Sequence, residues 1–302
     1  MFNEFRKTQY ELYDKARKHF VSNYEQLIEL EKYFFSVLYK TLVNSLDEIV
    51  RDYNEASYLY PFWQNYPPDD RGRRPKGDQF PWIEVGEHSL GCKLPRLLGK
   101  HFEIRDIGLP TGPDQRLVVK DDNISKVTEK FTDSCWLFID VKSVGPRDDQ
   151  DHTVMSHNQV SGRGEWTEFE KGVENKIIQA KGKRTSHPFY CSIPPIYVLS
   201  DGKILPVILL VVKPVYKMLS LNGNSKQRGQ PLNRITVVSI PNGLLLEEKP
   251  NYLKKYPSLF FPGKDDKDKN ANKVRCRVSF PILRSIAQWR VQEIQVNYSR
   301  SK

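Results

Sequence analysis

The N-terminal part of the chain carries an apolar stripe at helical spacing. Glutamate and lysine occupy most positions on the opposite face, as expected for a helix with one buried side. This pattern predicts a helical segment over about residues 1–55 that packs on a main sheet or on a partner subunit. The stripe consists of Leu27, Leu30, Phe34, Leu38, Leu42, Leu46 and Ile49.

Short apolar runs separated by turn residues dominate the rest of the chain. Gly-Pro, Asp-Gly, Asn-Gly and Pro-Gly pairs punctuate them, and such pairs favour tight turns. One intervening helix is predicted over Glu165–Ala180, because Phe169, Val173 and Ile177 recur at helical spacing. The predicted strands are Arg116–Lys120, Cys135–Ser143, Pro194–Leu199, Ile204–Lys213, Arg234–Ile240, Ser258–Phe261 and Val274–Phe280.

Length and charge narrow the class of protein and the class of partner. The 302 residues contain no internal repeat and favour a single mixed α/β domain. Lys and Arg number 47 against 37 Asp and Glu, so the net charge is +10, which favours a polyanion such as nucleic acid as the partner.

The longest apolar run, Ile204–Val212, contains a proline and is too short to span a bilayer. The four cysteines form no C-x-x-C pair, which fits a reducing cytoplasm. We therefore expect a cytoplasmic protein without a membrane partner.

The predicted strand Cys135–Ser143 ends in a carboxylate and an ammonium group. Side chains alternate between faces along a strand, so Asp140 and Lys142 share the face opposite to Val141. Burying both charges is costly unless they pair with each other or bind a metal. An Asp-x-Lys triplet alone is common, however, and is more often structural than functional.

A second carboxylate precedes the neighbouring predicted strand. Asp114 follows a Gly-Pro turn and stands 26 positions before Asp140. If the two strands are neighbours, Asp114, Asp140 and Lys142 converge at one end of the sheet. Carboxylates bind Mg²⁺ through oxygen, metal ions hold the attacking and leaving oxygens of a phosphodiester, and a lysine stabilises charge on the phosphate. The set matches the PD…(D/E)xK signature of the restriction-endonuclease-like nucleases.

Longer segments resemble the BglI family of type II restriction endonucleases over nearly the whole chain. Sequence words of this length, in this order, are far more specific than a catalytic triplet. The words that carry the resemblance are Arg51–Ala56, Pro61–Trp63, Asn65–Pro68, Pro75–Asp78, Pro81–Glu87, Ile107–Asp114, Lys142–Asp148, Asn158–Gly162, Leu199–Gly202, Pro241–Leu244 and Pro262–Asp266.

This resemblance implies a fold and a catalytic set. The implied fold is a restriction-endonuclease-like core, in which helices flank a mixed β-sheet. Asp114, Asp140 and Lys142 are the implied catalytic residues of a site that takes two Mg²⁺ ions. The implied metal ligands are Asp114, Asp140, the backbone carbonyl of Val141 and, through water, Glu87. A charge on a helix surface is almost as good an interpretation of Glu87.

The region from about residue 262 to 278 mixes aspartate with lysine and arginine. It reads as a polar loop entering a strand, with Arg275 and Arg277 on one face. Carboxylates such as Asp265 and Asp266 repel phosphates, but aspartate accepts from cytosine N4 while lysine or arginine donates to guanine O6 and N7. Composition alone favours a solvated hairpin tip, whereas a base-reading loop would select G·C pairs.

The resemblance favours base reading. In the BglI family this loop and the Gly145–Asp148 loop enter the major groove and read GCC half-sites, which implies the target GCCNNNNNGGC. An interrupted palindrome requires two identical readers related by a two-fold axis, so we expect a homodimer on double-stranded DNA. A DNA methyltransferase in the same cell is a further candidate partner. The implied DNA-binding residues are Asp148, Lys264, Asp265, Asp266, Arg275 and Arg277.

Two other functions compete with this interpretation. A repair or junction-resolving nuclease would share the catalytic core but recognise DNA shape, and the acidic residues of the 262–278 loop argue against it. A non-catalytic DNA-binding regulator would leave DNA intact whether or not Asp140 and Lys142 are present.

Overall fold

The helices lie mainly in the N-terminal third of the chain. The computed structural model describes residues 2–63, 82–109, 112–166, 173–174, 176–182, 186–217, 219–221, 224–263 and 275–298. Short 3-10 turns cover His157–Gln159 and Gln288–Arg290. The helices are α1 (Phe2–Ser22), α2 (Tyr24–Asn44), α3 (Leu46–Trp63), α4 (Trp82–Gly91), α5 (Lys93–Leu98), α6 (Asp122–Val127), α7 (Gly243–Glu247), α8 (Tyr252–Lys255) and α9 (Phe280–Ile286).

The strands lie in the rest of the chain, and β3 to β13 follow one another without an α-helix between them in the described residues. They are β1 (Glu103–Asp106), β2 (Gln115–Lys120), β3 (Ser134–Val141), β4 (His152–Met155), β5 (Glu165–Trp166), β6 (Val173–Glu174), β7 (Lys176–Lys181), β8 (Ser186–Cys191), β9 (Ile196–Val198), β10 (Ile204–Tyr216), β11 (Leu219–Leu221), β12 (Asn224–Gly229), β13 (Leu232–Ile240), β14 (Phe260–Pro262), β15 (Cys276–Ser279) and β16 (Val291–Gln295). The runs predicted as strands coincide with β2, β3, β9, β10, β13, β14 and β15.

A mixed sheet forms the centre of the fold, as predicted. Its order is β1-β2-β3-β10-β13-β16, with β9 paired to the start of β10. Strand β3 runs parallel to β10 and antiparallel to β2, so it is hydrogen-bonded on both sides. Every residue of β3 is buried. The alternation predicted for this strand is confirmed, because Leu137 and Ile139 pack in one apolar cluster while Trp136 and Phe138 pack in the other.

The N-terminal helices cover the sheet. The apolar stripe lies on α2 and α3, and all its members are buried except Leu46, which is half-buried. Helix α2 packs on β10 and β13, so this part of the stripe lies against the main sheet. No helix in the described part of the chain is both long and apolar enough to cross a membrane.

The prediction of a helix over Glu165–Ala180 is wrong. The described residues of this range form β5, β6 and β7, and β7 pairs with β8. In β7 the buried Ile178 and Ala180 alternate with the exposed Gln179 and Lys181. The described residues therefore follow the two-residue period of a strand paired with β8. The helical spacing of three apolar residues, on which the prediction rested, was a coincidence.

A small sheet of β14, β15 and β4 lies beside the main one. Cys276 and Val278 of β15 are buried, whereas Arg275 is exposed and Arg277 is half-buried, which agrees with the predicted faces. The strand ends before Phe280, because Ser279 caps α9 by accepting a hydrogen bond from the backbone N–H of Ile282.

Candidate active site

The end of β3 places two charged side chains next to each other. Asp140 is fully buried because its strand is central, whereas the Lys142 side chain just beyond the strand is 25% exposed. Lys142 Nζ lies 3.1 Å from Asp140 Oδ1 and 2.9 Å from Oδ2. Oδ2 is buried and accepts no hydrogen bond of good geometry from the described residues, so its contact with Lys142 is an ion pair only. One buried carboxylate oxygen is thus left with spare acceptor capacity.

Asp114 joins this pair across the neighbouring strand. Strand β2 begins at Gln115 opposite Ile139, so Asp114 stands opposite Asp140. Its Oδ2 accepts a hydrogen bond of 2.7 Å from the backbone N–H of Val141. The two strands are neighbours, as the predicted convergence required. They bring Asp114, Asp140 and Lys142 together at one end of the sheet.

Burial determines the acidity of Asp140. Loss of solvent raises the pKa of this carboxyl to about 6, Lys142 opposes the shift, and the nearby charge of Asp114 adds to it. A buried acid with a raised pKa beside a second carboxylate is an arrangement that a cation stabilises.

The ligand set fits a hard divalent cation. Two carboxylates beside the main-chain oxygen of Val141 are oxygen donors, which Mg²⁺ and Ca²⁺ prefer. Within the described residues no three His, Cys, Asp or Glu side chains form a metal-binding group. Mg²⁺ does not need a third carboxylate, because it keeps several waters and is usually held by one or two carboxylates.

Glu87 lies in α4, but its side chain is outside the described part of the structure. The preceding residue, Gly86, shows how closely this helix approaches the site. A Cβ at Gly86 would lie 2.4 Å from Ser143 Oγ, immediately after Lys142. A glycine at this position therefore allows α4 to pass against the end of β3.

A tight turn follows the active-site strand. The backbone N–H of Asp148 donates to the carbonyl of Gly145 at 3.1 Å, with Pro146 in the second position, which is the usual place for proline in such turns. The ring of Tyr216 packs on Gly145, where a Cβ would lie 2.9 Å from it. The Asp148 side chain is exposed at 63% beside Arg147. The turn thus presents a carboxylate a few residues from the candidate catalytic centre.

The second predicted DNA-reading region is described only in part. Lys264, Asp265 and Asp266 lie outside the described residues. Arg275 and Arg277 are described, and the guanidinium of Arg277 covers Gly263, where a Cβ would lie 1.5 Å from Nη1.

Lys213 connects the two predicted DNA-reading elements and was missed in the sequence. It is buried in β10 and donates to the carbonyls of Gln150 at 2.6 Å and His152 at 3.0 Å. These residues lead from the Gly145–Asp148 turn into β4, which pairs with β15 and hence with Arg277. Burial lowers the pKa of Lys213 to about 8. The only feature of the sequence that could have pointed to Lys213 is its position at the end of the apolar run Ile204–Val212.

Gln159 is the other residue that the sequence did not single out. Its Nε2 donates to Asp140 Oδ1 at 2.7 Å. The spacing Ser156-x-x-Gln159 matches a capping box and could have predicted the turn. The contact with Asp140 could not be predicted, because it depends on tertiary structure.

The fold and the site together define a nuclease of the restriction-endonuclease class: a mixed sheet flanked by helices presents two aspartates and a lysine at one end. A family model described as restriction endonuclease BglI matches residues 8–294. A curated relative, the type II restriction enzyme BglI of Bacillus subtilis, is 45% identical over 290 residues, which are 95% of this chain and 96% of the relative. The chain belongs to the BglI family of restriction endonucleases and is a type II site-specific deoxyribonuclease.

Solved structures agree with this assignment. The crystal structure of BglI bound to its DNA recognition sequence is 44% identical in sequence, covers 98% of this chain and 99% of its own, and has a TM-score of 0.88. The tetrameric restriction endonuclease SfiI, bound to cognate DNA, is 15% identical with a TM-score of 0.57 over 91% of this chain and 86% of its own, which shows a shared fold alone. Membership of this class also implies a divalent metal cofactor.

Proposed function

We propose that this enzyme hydrolyses double-stranded DNA at the interrupted palindrome GCCNNNNNGGC, with two Mg²⁺ ions in each active site. The observation that carries the proposal is the meeting of Asp114, Asp140 and Lys142 at the adjoining ends of β2 and β3. The 45% identity to a type II restriction enzyme supports transfer of its chemistry to this site.

Asp114, Asp140 and the carbonyl of Val141 would hold the ions, with Glu87 as a candidate outer ligand through water. Bound Mg²⁺ would supply Lewis-acid stabilisation of the charge that develops on the phosphate. Asp140 contributes a buried oxygen and Asp114 an exposed carboxylate, so solvent reaches the proposed cation site from the side of Asp114.

We assign Lys142 to the stabilisation of the negative charge that develops on the reacting phosphate. In hydrolysis a water oxygen bonds to phosphorus and one P–O ester bond breaks, while negative charge grows on the phosphoryl oxygens. The ammonium of Lys142 is tethered by Asp140 and still partly exposed, so it can orient the attacking water and stabilise that charge.

Asp148, Arg275 and Arg277 are the described members of the proposed base-reading set. Aspartate accepts from cytosine N4, and arginine donates to guanine O6 and N7, so the set suits G·C pairs. We place Lys264, Asp265 and Asp266 in the same set by sequence. The 44% identical BglI has been solved bound to its DNA recognition sequence, which supports sequence-specific DNA binding by this chain.

The palindrome requires a homodimer in which each subunit cuts one strand. A cell that contains an active enzyme of this kind must protect its own copies of the target, which is why we include a cognate DNA methyltransferase among the proposed partners.

Single substitutions test the catalytic set. Asp114→Ala and Asp140→Ala should each lower Mg²⁺-dependent cleavage by several orders of magnitude, because each removes a proposed metal ligand. Specific binding to the same duplex in Ca²⁺ should remain measurable by gel shift. Asp122→Ala, which removes an exposed carboxylate in the first turn of α6, is the matched control and should cleave normally. Wild-type rates in either active-site variant would refute the assignment.

The target needs a separate experiment. DNA of known sequence is digested with the enzyme and Mg²⁺, and the ends of the fragments are sequenced. Ends that all fall within GCCNNNNNGGC support the proposal and give the cut position. A different fixed site would reject only the proposed sequence, whereas ends at branched or damaged positions would indicate a repair or junction nuclease.

A further inference from the structure

We infer that Gln159 is a positioning residue that determines which oxygen of Asp140 faces the divalent cation. The inference rests on the proposed function, because it assumes that Asp140 is a metal ligand. Gln159 contacts no reacting group itself and acts through the carboxylate to which it donates.

The orientation of the Gln159 side chain is fixed by its own 3-10 turn. The backbone N–H of Ser156 donates to Gln159 Oε1 at 2.9 Å, and the Ser156 hydroxyl completes a capping box by accepting from the backbone N–H of Gln159. An amide has one oxygen acceptor and one NH₂ donor. Since the oxygen is engaged at Ser156, the NH₂ group is the part directed at Asp140.

Contacts on two sides hold this 3-10 turn in place. The backbone N–H and the hydroxyl of Ser192 both donate to the carbonyl of His157, at 2.9 and 3.0 Å. On the other side, the carbonyl of Asn158 lies 4.0 Å from the position of a Cβ at Gly112, two residues before Asp114. The turn therefore adjoins both chain segments that carry the candidate metal-binding aspartates.

The consequence is an unequal division of donors between the two oxygens of Asp140. Oδ1 accepts hydrogen bonds from Gln159 at 2.7 Å and from Lys142 at 3.1 Å. Among the residues that the structure describes, the one contact of Oδ2 is the ion pair with Lys142, at 2.9 Å, and no hydrogen-bond donor is aligned with it. A carboxylate can rotate about its last torsion with little preference of its own. The donor from Gln159 therefore makes Oδ1 the protein-facing oxygen and leaves Oδ2 for a cation.

Cation binding, measured without cleavage, tests this role. Ca²⁺ is titrated by calorimetry into the full-length enzyme bound to a duplex that carries its cut site. Gln159→Met keeps the length of the side chain and removes the donor. It should weaken Ca²⁺ binding by about 10- to 100-fold, the usual cost of losing a group that orients a metal ligand. In cleavage assays the Mg²⁺ concentration for half-maximal rate should rise more than the maximal rate falls.

Two further variants separate positioning from local folding. Ser156→Ala removes only the hydroxyl of this turn and keeps the backbone N–H that holds Gln159 Oε1, so its Ca²⁺ affinity should stay close to that of the wild type. Gln159→Asn keeps an amide that is one methylene shorter and cannot reach both Ser156 and Asp140, so it should lose affinity as Gln159→Met does. It serves as the test if the methionine variant does not fold.

The outcomes distinguish a failure of the Gln159 positioning role from a failure of the proposed metal site. If Asp140→Ala abolishes Ca²⁺ binding while both Gln159 variants bind as the wild type does, the positioning role is wrong and the proposed metal site stands. An equal loss in Ser156→Ala and Gln159→Met would also overturn it, because the turn and not the amide would be responsible. If Asp140→Ala binds Ca²⁺ normally, both the inference and the proposed metal site are wrong.

Discussion

Asp140 combines complete burial with the negative charge that its proposed role as a metal ligand requires. In the absence of a cation, burial raises its pKa to about 6. The folded protein therefore binds this proton more tightly than the unfolded chain does, so protonation favours folding. This contribution is present at low pH and is lost as the pH rises through about 6. A bound cation reverses the preference, because it requires the deprotonated carboxylate.

The first expected outcome is that cation affinity depends on pH. Ca²⁺ binding should weaken progressively as the pH falls below about 6, since protons compete for Asp140. Calorimetric titrations of the enzyme–DNA complex across this range measure the effect. An affinity that stays constant down to the ordinary pKa range of an aspartate would contradict the assigned environment of Asp140.

The second expected outcome concerns stability without metal. Asp140→Asn keeps an oxygen that accepts from Gln159 and removes the buried charge, so at neutral pH it should stabilise the cation-free protein. The raised pKa sets an upper limit of about 3 kcal/mol on the gain. Urea unfolding in a chelator measures it, and Asp122→Asn, at an exposed carboxylate outside the site, serves as the control with little change. A variant less stable than the wild type would show that the ion pair with Lys142 outweighs the cost of burial.

Elements differ in how far the sequence predicts them. The central strand β3 was predictable together with its two faces, because an apolar run with a terminal Asp-x-Lys leaves few alternatives. The range Glu165–Ala180 was mispredicted, because three apolar residues at helical spacing are a weaker signal than the pairing of β7 with β8. Strand pairing is a long-range property, and a single sequence does not reveal it.

The same limit explains which site residues were found. The convergence of Asp114, Asp140 and Lys142 could be predicted, because a known chemistry requires two carboxylates and a lysine at the ends of neighbouring strands. Gln159 and Lys213 could not, since their contacts join Asp140 and the carbonyls of Gln150 and His152 across the fold. Glutamine and lysine are common surface residues, so neither type is informative without a structure.

Strand β15 and the glycine that faces it lead to a third expected outcome. In Gly263→Ala the new methyl group would occupy the position of the Arg277 guanidinium, which must move. Discrimination at the base pair that Arg277 is proposed to read should fall by about 1–3 kcal/mol. Relative cleavage rates on duplexes with single substitutions in the site measure this, and Arg277→Ala should relax the same base pair. Relaxation at different base pairs in the two variants would separate Gly263 from Arg277.

At the scale of the whole molecule, we expect net charge and the two-fold symmetry of the proposed dimer to govern DNA binding. The net charge of +10 provides attraction to any duplex, whereas the proposed base-reading set provides selectivity. The fourth expected outcome is that log K for specific binding in Ca²⁺ falls linearly with log salt concentration, as phosphate contacts release counterions. Sedimentation of the same complexes should give two chains for each duplex. A monomer on one duplex, or an affinity independent of salt, would contradict the proposed dimer on DNA.

The most direct measurement locates the cation itself. Crystals of the enzyme with its target duplex, soaked in Mn²⁺, would show the metal by anomalous scattering. We expect peaks roughly 2.0–2.6 Å from oxygens of Asp114 and Asp140 and from the carbonyl of Val141, beside the phosphate to be cut. Peaks elsewhere on the protein, with none between these two aspartates, would contradict the proposed metal site.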